Sequence, residues 1–129
     1  MLDIHFLRFA NALLEPVCMA SILKLQQRAV TGKYVILFAN PDTLENELTP
    51  PGRNLAHDRK RLTVKMSTDD GQTWPTAGII EAGPSGYSDL AQAPDGTILC
   101  IYECGTIERM TDTQSLTVAR FDLHWLAAH

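Results

Sequence analysis

The sequence predicts an all-β fold built from short antiparallel strands. Apolar residues alternate with polar ones in several strand-length runs, most clearly over Leu62–Ser67. Turn-forming residues separate these runs, as in Thr31–Lys33 and Pro94–Gly96. Because strand-length runs and turn signals recur along the chain, we expect a succession of hairpin-connected strands.

Seven strands are predicted, in a first group of four and a second group of three. The first group is Met19–Leu25, Tyr34–Ala39, Leu62–Ser67 and Ala77–Glu81, and the second is Tyr87–Ala91, Thr97–Glu103 and Ser115–Phe121. Gly83–Gly86 is expected to separate the groups. Thr97–Glu103 is apolar on both faces, which predicts a central, buried strand, and Leu123–His129 is expected to be an edge or a frayed end.

Successive groups of about four antiparallel strands are typical of β-propeller blades. We interpret residues 17–82 as one blade, residues 83–129 as the following blade and residues 1–16 as a lead-in of undecided structure. Two blades do not close a ring, and a blade buries its faces against its neighbours. We therefore expect an incomplete propeller that relies on the remainder of the ring or on self-association.

The composition argues against several classes of protein. The chain has 129 residues, at most one ordinary domain, with 15 acidic and 11 basic side chains. This balance gives no basic footprint for nucleic acid or anionic lipid. No apolar run approaches the length of a membrane span, and no secretory signal is evident, so the compartment stays unknown. The cysteines and histidines lack metal-ligand spacing, so no metal site is expected.

The stretch Ser67–Trp74 has the pattern Ser-x-Asp-x-Gly-x-x-Trp, which suits a tight turn between strands. Asp69 and Asp70 can accept hydrogen bonds from nearby backbone amides, and Gly71 adopts positive φ without steric cost. Trp74 then buries a large ring where the chain returns. We predict that the motif is structural, because carboxylates that bind their own turn are not available for chemistry.

This pattern resembles the Asp-box, or BNR repeat, of sialidases (neuraminidases) and of other β-propellers with the same repeat. The flanking segments are Arg59–Ser67 upstream, then Gly86–Leu90, Asp95–Leu99 and Ile101–Glu103 downstream. In this order they are similar to the C-terminal third of a sialidase catalytic domain, over roughly residues 15–121. The resemblance implies a six-bladed propeller and an exo-α-sialidase, a glycosidase that releases terminal sialic acids from glycoconjugates. Such chemistry requires neither a metal nor an organic cofactor.

The resemblance also implies site residues. Tyr87 matches the tyrosine nucleophile, and Arg59 matches an arginine that clamps the sialic acid carboxylate, with Arg61 as a rival separated only by motif register. Glu103 matches a glutamate that orients the first arginine of the family's triad. The separations, 28 residues from Arg59 to Tyr87 and 16 from Tyr87 to Glu103, fit this assignment.

Each residue also has a structural alternative. Tyr87 could be an ordinary strand aromatic, Arg59 part of a solvated basic cluster, and Glu103 an exposed strand end. Their shared order around an Asp-box favours the functional interpretation. A non-catalytic Asp-box segment that binds glycans or proteins is the main alternative function, and a decayed gene product is a third.

The chain also departs from the family pattern. The family's first and second arginines, its acid/base aspartate and the glutamate that activates the tyrosine have no counterpart in a matching context. An unassisted tyrosine, with a pKa near 10, is a weak nucleophile at neutral pH. We therefore expect the 129-residue chain to carry part of a site and not to turn over substrate alone. The family is often secreted, periplasmic or lysosomal.

Overall fold

The computed structural model describes residues 10–47, 57–105 and 113–129. These residues form strands β1 (Ser21–Arg28), β2 (Tyr34–Pro41), β3 (Lys60–Ser67), β4 (Thr76–Gln92), β5 (Ile98–Cys104) and β6 (Ser115–Phe121), then helix α1 (Leu123–Ala127). The strands make one antiparallel sheet in the order β1-β2-β3-β4-β5-β6. The predicted all-β class is confirmed, and the sheet is consistent with part of a β-propeller.

Strand β4 replaces two of the predicted strands. It is 17 residues long and runs through Gly83–Gly86 without a break. Its first half pairs with β3 as far as Lys60 opposite Pro84, and its second half pairs with β5 from Ser85 opposite Cys104. The glycines and the proline therefore mark a change of partner strand rather than a strand end. The division into blades at residues 82 and 83 remains a prediction, and the change of partner falls close to it.

One cluster of buried side chains joins the two parts of the sheet. Its members come from β1 to β5 and from α1, and they include Leu25, Leu37, Leu62, Val64, Leu90, Ile98, Cys100 and Leu126. Polar contacts add to it, because β1 lies beside the second half of β4. Ser21 Oγ donates to Asp89 Oδ1 at 2.9 Å and accepts from the Leu90 amide at 3.0 Å. The two parts are thus held together by packing and by hydrogen bonds.

The predicted edge or frayed end at Leu123–His129 is wrong, because the chain forms helix α1 there. The Asp122 side chain caps the helix by accepting from the Trp125 amide at 2.8 Å, which is a helix-start signal that the strand interpretation missed. Leu126 is fully buried. A Cβ at Gly78 would lie 2.9 Å from the Trp125 ring, so the glycine lets the helix pack directly on β4. No helix among the described residues is long and apolar enough to cross a membrane.

The two ends of the sheet differ in how far other residues cover them. Residues near the start of the described chain contact β2 and β3, since Leu14 O accepts from Asn40 Nδ2 at 2.7 Å and Ala12 O accepts from Lys65 Nζ at 2.6 Å. In contrast, Ile101, Leu116 and Val118 are 45, 70 and 55% exposed. Ile101 is paired with Val118 across the ladder, so these three residues form one surface, here called the β5–β6 apolar face. Strand β5 is therefore central in its ladder but not buried on both faces as predicted.

Candidate functional site

The structure brings together the three residues to which the sequence gives a role in the site. Arg59 directly precedes β3, Tyr87 lies in the second half of β4, and Glu103 lies near the end of β5. The guanidinium carbon of Arg59 is 5.1 Å from the centroid of the Tyr87 ring. The Tyr87 amide donates to Glu103 Oε2 at 2.9 Å. A basic, a phenolic and an acidic side chain from three segments thus share one surface.

Backbone contacts fix the distance between Arg59 and Tyr87. The Ser85 amide donates to the Arg59 carbonyl at 2.9 Å, and the Ser85 hydroxyl accepts from the Leu62 amide at 3.1 Å. Ser85 is fully buried and lies two residues before Tyr87. Two hydrogen bonds of Ser85 therefore connect the point where β4 changes partner to Arg59 and to the start of β3.

Arg61, the rival for the clamping role, occupies a different position. It lies at an irregularity of the β3–β4 ladder with φ of 60°, and it is exposed. Its carbonyl accepts from the Asp42 amide at 3.0 Å, on the side of β2. Among the described residues, the cation over the Tyr87 ring is that of Arg59, not Arg61.

Lys60, between the two arginines, faces a group of carboxylates. Its Nζ forms ion pairs with Glu45, Glu47 and Asp58, the last two at 3.5 Å, and the Lys60 side chain is 17% exposed. A hydrogen bond to Glu45 is the main cause of the raised pKa of Lys60. The predicted alternative of a uniformly solvated basic cluster therefore does not describe this residue.

Gly86 allows Glu103 to reach the Tyr87 amide. The Glu103 carboxylate lies so close to the Gly86 backbone that a Cβ would collide with Glu103 Oε2. Glu103 is half-buried, whereas Tyr87 is 42% exposed. The backbone of Tyr87 is thus anchored while its ring remains accessible to a ligand.

A short segment that the sequence did not single out completes the surroundings of Arg59. Arg59 Nη2 donates to the Val17 carbonyl at 3.0 Å, and Val17 has φ of 59°. The neighbouring Cys18 is 5% exposed, and burial raises the pKa of its thiol to about 11, although the positive charge of Arg59 opposes the rise. The thiol is therefore neutral at physiological pH. Nothing in the sequence marks Val17, because a valine gives no signal for a left-handed backbone.

The Asp-box turn uses its polar groups internally. Ser67 Oγ donates to Asp69 Oδ1 at 2.7 Å and accepts from the Gly71 amide at 2.9 Å. Asp69 also accepts from the Thr73 amide at 2.8 Å and from the Thr73 hydroxyl at 2.6 Å. The hydrogen bonds from Thr73, followed by that from Ser67, hold the pKa of Asp69 well below its usual range. These contacts support the predicted structural role of the motif.

The rest of the turn binds the neighbouring strands. Asp70, with φ of 62°, accepts from the Tyr34 amide at 2.7 Å. Trp74 packs edge-to-face on Phe38, with 6.0 Å between the ring centroids. The turn is therefore fixed to β2 as well as to β3, which fits a role in holding the sheet together.

The described residues do not contain a group of three or more His, Cys, Asp or Glu side chains placed to hold a metal ion. Cys18, Cys100 and Cys104 are free thiols. What the site offers is a cation, a phenol and a carboxylate, which suit an anionic ligand and organic nucleophilic chemistry.

Comparisons with known proteins point in one direction. No family model matches the chain. A curated sialidase of Micromonospora viridifaciens is 33% identical over 115 residues, which are 87% of this chain and 15% of that protein. A curated sialidase of Bacteroides fragilis is 34% identical over 105 residues, which are 78% of this chain and 17% of that protein. The chain thus spans about one sixth of the length of these relatives.

Solved structures agree with the curated relatives. The Hadza microbial sialidase Hz136 superposes with a TM-score of 0.61 at 31% identity, over 86% of this chain and 18% of that one. Intramolecular trans-sialidases from leech and from Ruminococcus gnavus superpose with TM-scores of 0.64 and 0.59, at 18 and 22% identity. They cover 86 and 85% of this chain and 17 and 23% of their own, and support the fold alone. The chain therefore resembles a part of sialidases and has the fold of a partial sialidase-type propeller, as the sequence predicted.

The hydrogen bonds of Asp69 predict a dependence of stability on pH. Because the pKa of Asp69 in the folded state lies below the ordinary value of 3.8, its ionised form stabilises the fold above that value. This contribution is lost as the pH falls through 3.8 toward the lower pKa of the folded state. Asp69→Asn is expected to lower the free energy of unfolding at pH 7, by a margin that shrinks below about pH 4.

The measurement is urea unfolding at a series of pH values. Thr73→Val, which removes one donor to Asp69 and keeps the carboxylate, serves as the matched variant and should show a smaller loss that shrinks over the same pH range. A difference between Asp69→Asn and the wild type that stays constant from neutral to acidic pH would refute the assignment.

Proposed function

We propose that the chain contributes one part of an exo-α-sialidase site, which releases terminal sialic acids from glycoconjugates. In this proposal Tyr87 is the nucleophile, Arg59 clamps the sialic acid carboxylate, and Glu103 orients the first arginine of the triad. The observation that carries the proposal is the convergence of these three side chains, with Arg59 5.1 Å from the Tyr87 ring and Glu103 2.9 Å from the Tyr87 amide.

Arg59 suits the carboxylate because a guanidinium is planar and can donate two parallel hydrogen bonds to two oxygens. Its position is fixed at both ends, through the Ser85 amide at its own carbonyl and through the Val17 carbonyl at Nη2. A cation held in this way loses little conformational freedom when it binds an anion. Lys60 is less suited, since three carboxylates already surround its ammonium.

A tyrosine nucleophile suits an anionic substrate. A carboxylate nucleophile would approach the sialic acid carboxylate with like charge, whereas a phenol avoids much of that repulsion. Sialidases are the known exception among glycosidases in this respect. In the proposed step the Tyr87 oxygen forms a bond to the anomeric carbon as the glycosidic bond breaks, the phenol loses its proton to a base, and the leaving alcohol gains one from an acid. Water then releases sialic acid with retained configuration, and the phenol regains its proton.

Glu103 can serve two partners. One carboxylate oxygen, Oε2, accepts from the Tyr87 amide. A carboxylate has further acceptor capacity at its other oxygen, where a guanidinium from another part of a propeller can bind. The proposed role of orienting an arginine is therefore compatible with the observed contact.

We propose that the activating base, the acid and the other arginines come from further parts of a propeller. The matched residues make up only 15 and 17% of the curated relatives, which leaves room for those parts. The β5–β6 apolar face is where we expect either additional strands or a second copy of the chain to pack, because three large apolar side chains there are 45 to 70% exposed. The proposed partners are thus a sialylated glycan and either further strands or a second copy.

Exchange of the two arginines tests the clamp. Arg59→Lys is expected to weaken binding of N-acetylneuraminic acid about tenfold, since an ammonium cannot make the paired hydrogen bonds of a guanidinium. The matched variant Arg61→Lys should change the dissociation constant by less than about twofold, because Arg61 lies at an exposed bulge. Titration of the purified chain followed by NMR measures both constants. Equal losses in the two variants, or a larger loss for Arg61→Lys, would contradict the assignment.

A second test concerns turnover. The purified 129-residue chain is expected to show no hydrolysis of a fluorogenic sialoside, because the family's activating glutamate has no counterpart in a matching sequence context here. Hydrolysis by the chain that Tyr87→Phe abolishes would identify the nucleophile and refute the proposed incompleteness.

The β5–β6 apolar face predicts the behaviour of the isolated chain. We expect concentration-dependent association in sedimentation velocity, which the double substitution Leu116→Ser and Val118→Ser should weaken. Val30→Ser is the control, because Val30 is fully exposed and lies in the turn between β1 and β2, away from this face. A monomer at all concentrations, or an equal effect of the control, would refute the assignment of this face.

A further inference from the structure

We infer that Val17 is a positioning residue for the proposed site, because its carbonyl, set by a left-handed backbone, holds the Arg59 guanidinium over the Tyr87 ring. The inference rests on the proposed function in so far as it concerns the site. The two contacts that support it are present in the structure whether or not the chain takes part in catalysis. They are the hydrogen bond from Arg59 Nη2 to Val17 O at 3.0 Å and the contact of Arg59 with the Tyr87 ring at 5.1 Å.

The backbone of Val17 is in an unfavourable conformation. Its φ is 59°, in the left-handed region, where a β-branched side chain crowds its own backbone. Such conformations persist only where the surrounding structure imposes them. The Val17 side chain is 50% exposed, so packing of this side chain does not impose the left-handed conformation.

The residues on either side of Val17 fix the path of the chain. Pro16 and Cys18 are both buried. The Cys18 amide donates to Glu15 Oε1 at 3.2 Å, which closes a short turn around Val17. Two buried neighbours and a closed turn determine where the Val17 peptide group lies, and its carbonyl then faces Arg59.

The other end of Arg59 is equally fixed. The Arg59 carbonyl accepts from the amide of Ser85, a fully buried residue of β4. With its backbone held by β4 and its Nη2 held by Val17, the long side chain spans the gap between two fixed points. The Val17 carbonyl therefore sets the direction of the guanidinium relative to Tyr87. The unfavourable φ of Val17 is the backbone conformation that points this carbonyl toward Arg59.

Two substitutions at one position separate the backbone conformation from the side chain. Val17→Pro fixes φ near −65°, which is incompatible with the left-handed region, whereas Val17→Gly removes the side chain and keeps positive φ accessible. The readout without any ligand is the Nε–H signal of Arg59 in ¹H–¹⁵N spectra of the 129-residue chain, assigned by its loss in Arg59→Lys. We expect Val17→Pro to move this signal to the region of solvated arginines and Val17→Gly to leave it in place.

Binding of N-acetylneuraminic acid gives the second readout. Val17→Pro is expected to weaken it about tenfold and Val17→Gly by less than about twofold. An unchanged Arg59 signal in Val17→Pro, or equal changes in both variants, overturns the inference. If the wild-type chain does not bind N-acetylneuraminic acid, the isolated chain has no working carboxylate clamp, while the Arg59 signal still decides the positioning role.

A pair of substitutions at Glu15 covers the case in which Val17→Pro does not fold. Glu15 is exposed, and its carboxylate closes the turn around Val17. Glu15→Ala removes the acceptor, whereas Glu15→Gln keeps an acceptor oxygen and loses only the charge. We expect Glu15→Ala to move the Arg59 signal in the direction of solvated arginines and Glu15→Gln to move it less. Equal shifts in the two variants would indicate an effect of charge alone and would overturn the inference.

Discussion

The continuity of β4 through its change of partner is the constraint on which the candidate site depends. The strand leaves β3 at Pro84 and joins β5 at Ser85, so the residues just after the change lie beside the start of β3. Ser85 binds the Arg59 carbonyl at that point, and Tyr87 follows within the same strand. A break here, as the sequence suggests, would leave the arginine and the tyrosine on independently placed segments. The unbroken strand instead fixes their separation.

The polar groups of the molecule divide into those satisfied within a turn and those presented on the surface of the site. In the Asp-box, Asp69 accepts hydrogen bonds from Ser67 and Thr73, so its charge stabilises the turn. Glu103 accepts from the Tyr87 amide, and a ring contact joins Tyr87 to Arg59. The carboxylate of Asp69 is thus bound within its own turn, whereas Arg59, Tyr87 and Glu103 lie together at the candidate site. The Asp-box and the candidate site are therefore separate, although the resemblance to sialidases rests on both.

Alternation and turn residues were sufficient to predict the all-β class and the approximate positions of the strands, except that two predicted strands are the two halves of β4. The helix was missed because Leu123–Ala127 is only 5 residues long, too short for a helical period, and its start depends on one capping aspartate. The resemblance predicts that Arg59, Tyr87 and Glu103 share one site, and the three residues lie close together in the structure. Val17 could not be found, because its contribution is a left-handed backbone and a carbonyl direction, and a valine gives no sequence signal for either.

The candidate site and the β5–β6 apolar face are parts of one surface, which links assembly to completion of the site. Ile101 and Glu103 are two residues apart on β5 and therefore point to the same face. Across the ladder Ile101 is paired with Val118, and Glu103 with Leu116. Whatever covers Ile101 and Val118 comes within reach of the Glu103 carboxylate, which can accept a guanidinium. The same packing that removes apolar surface from water can thus bring in the arginine that the proposed site requires, so burial of this face and completion of the proposed site are expected to arise together.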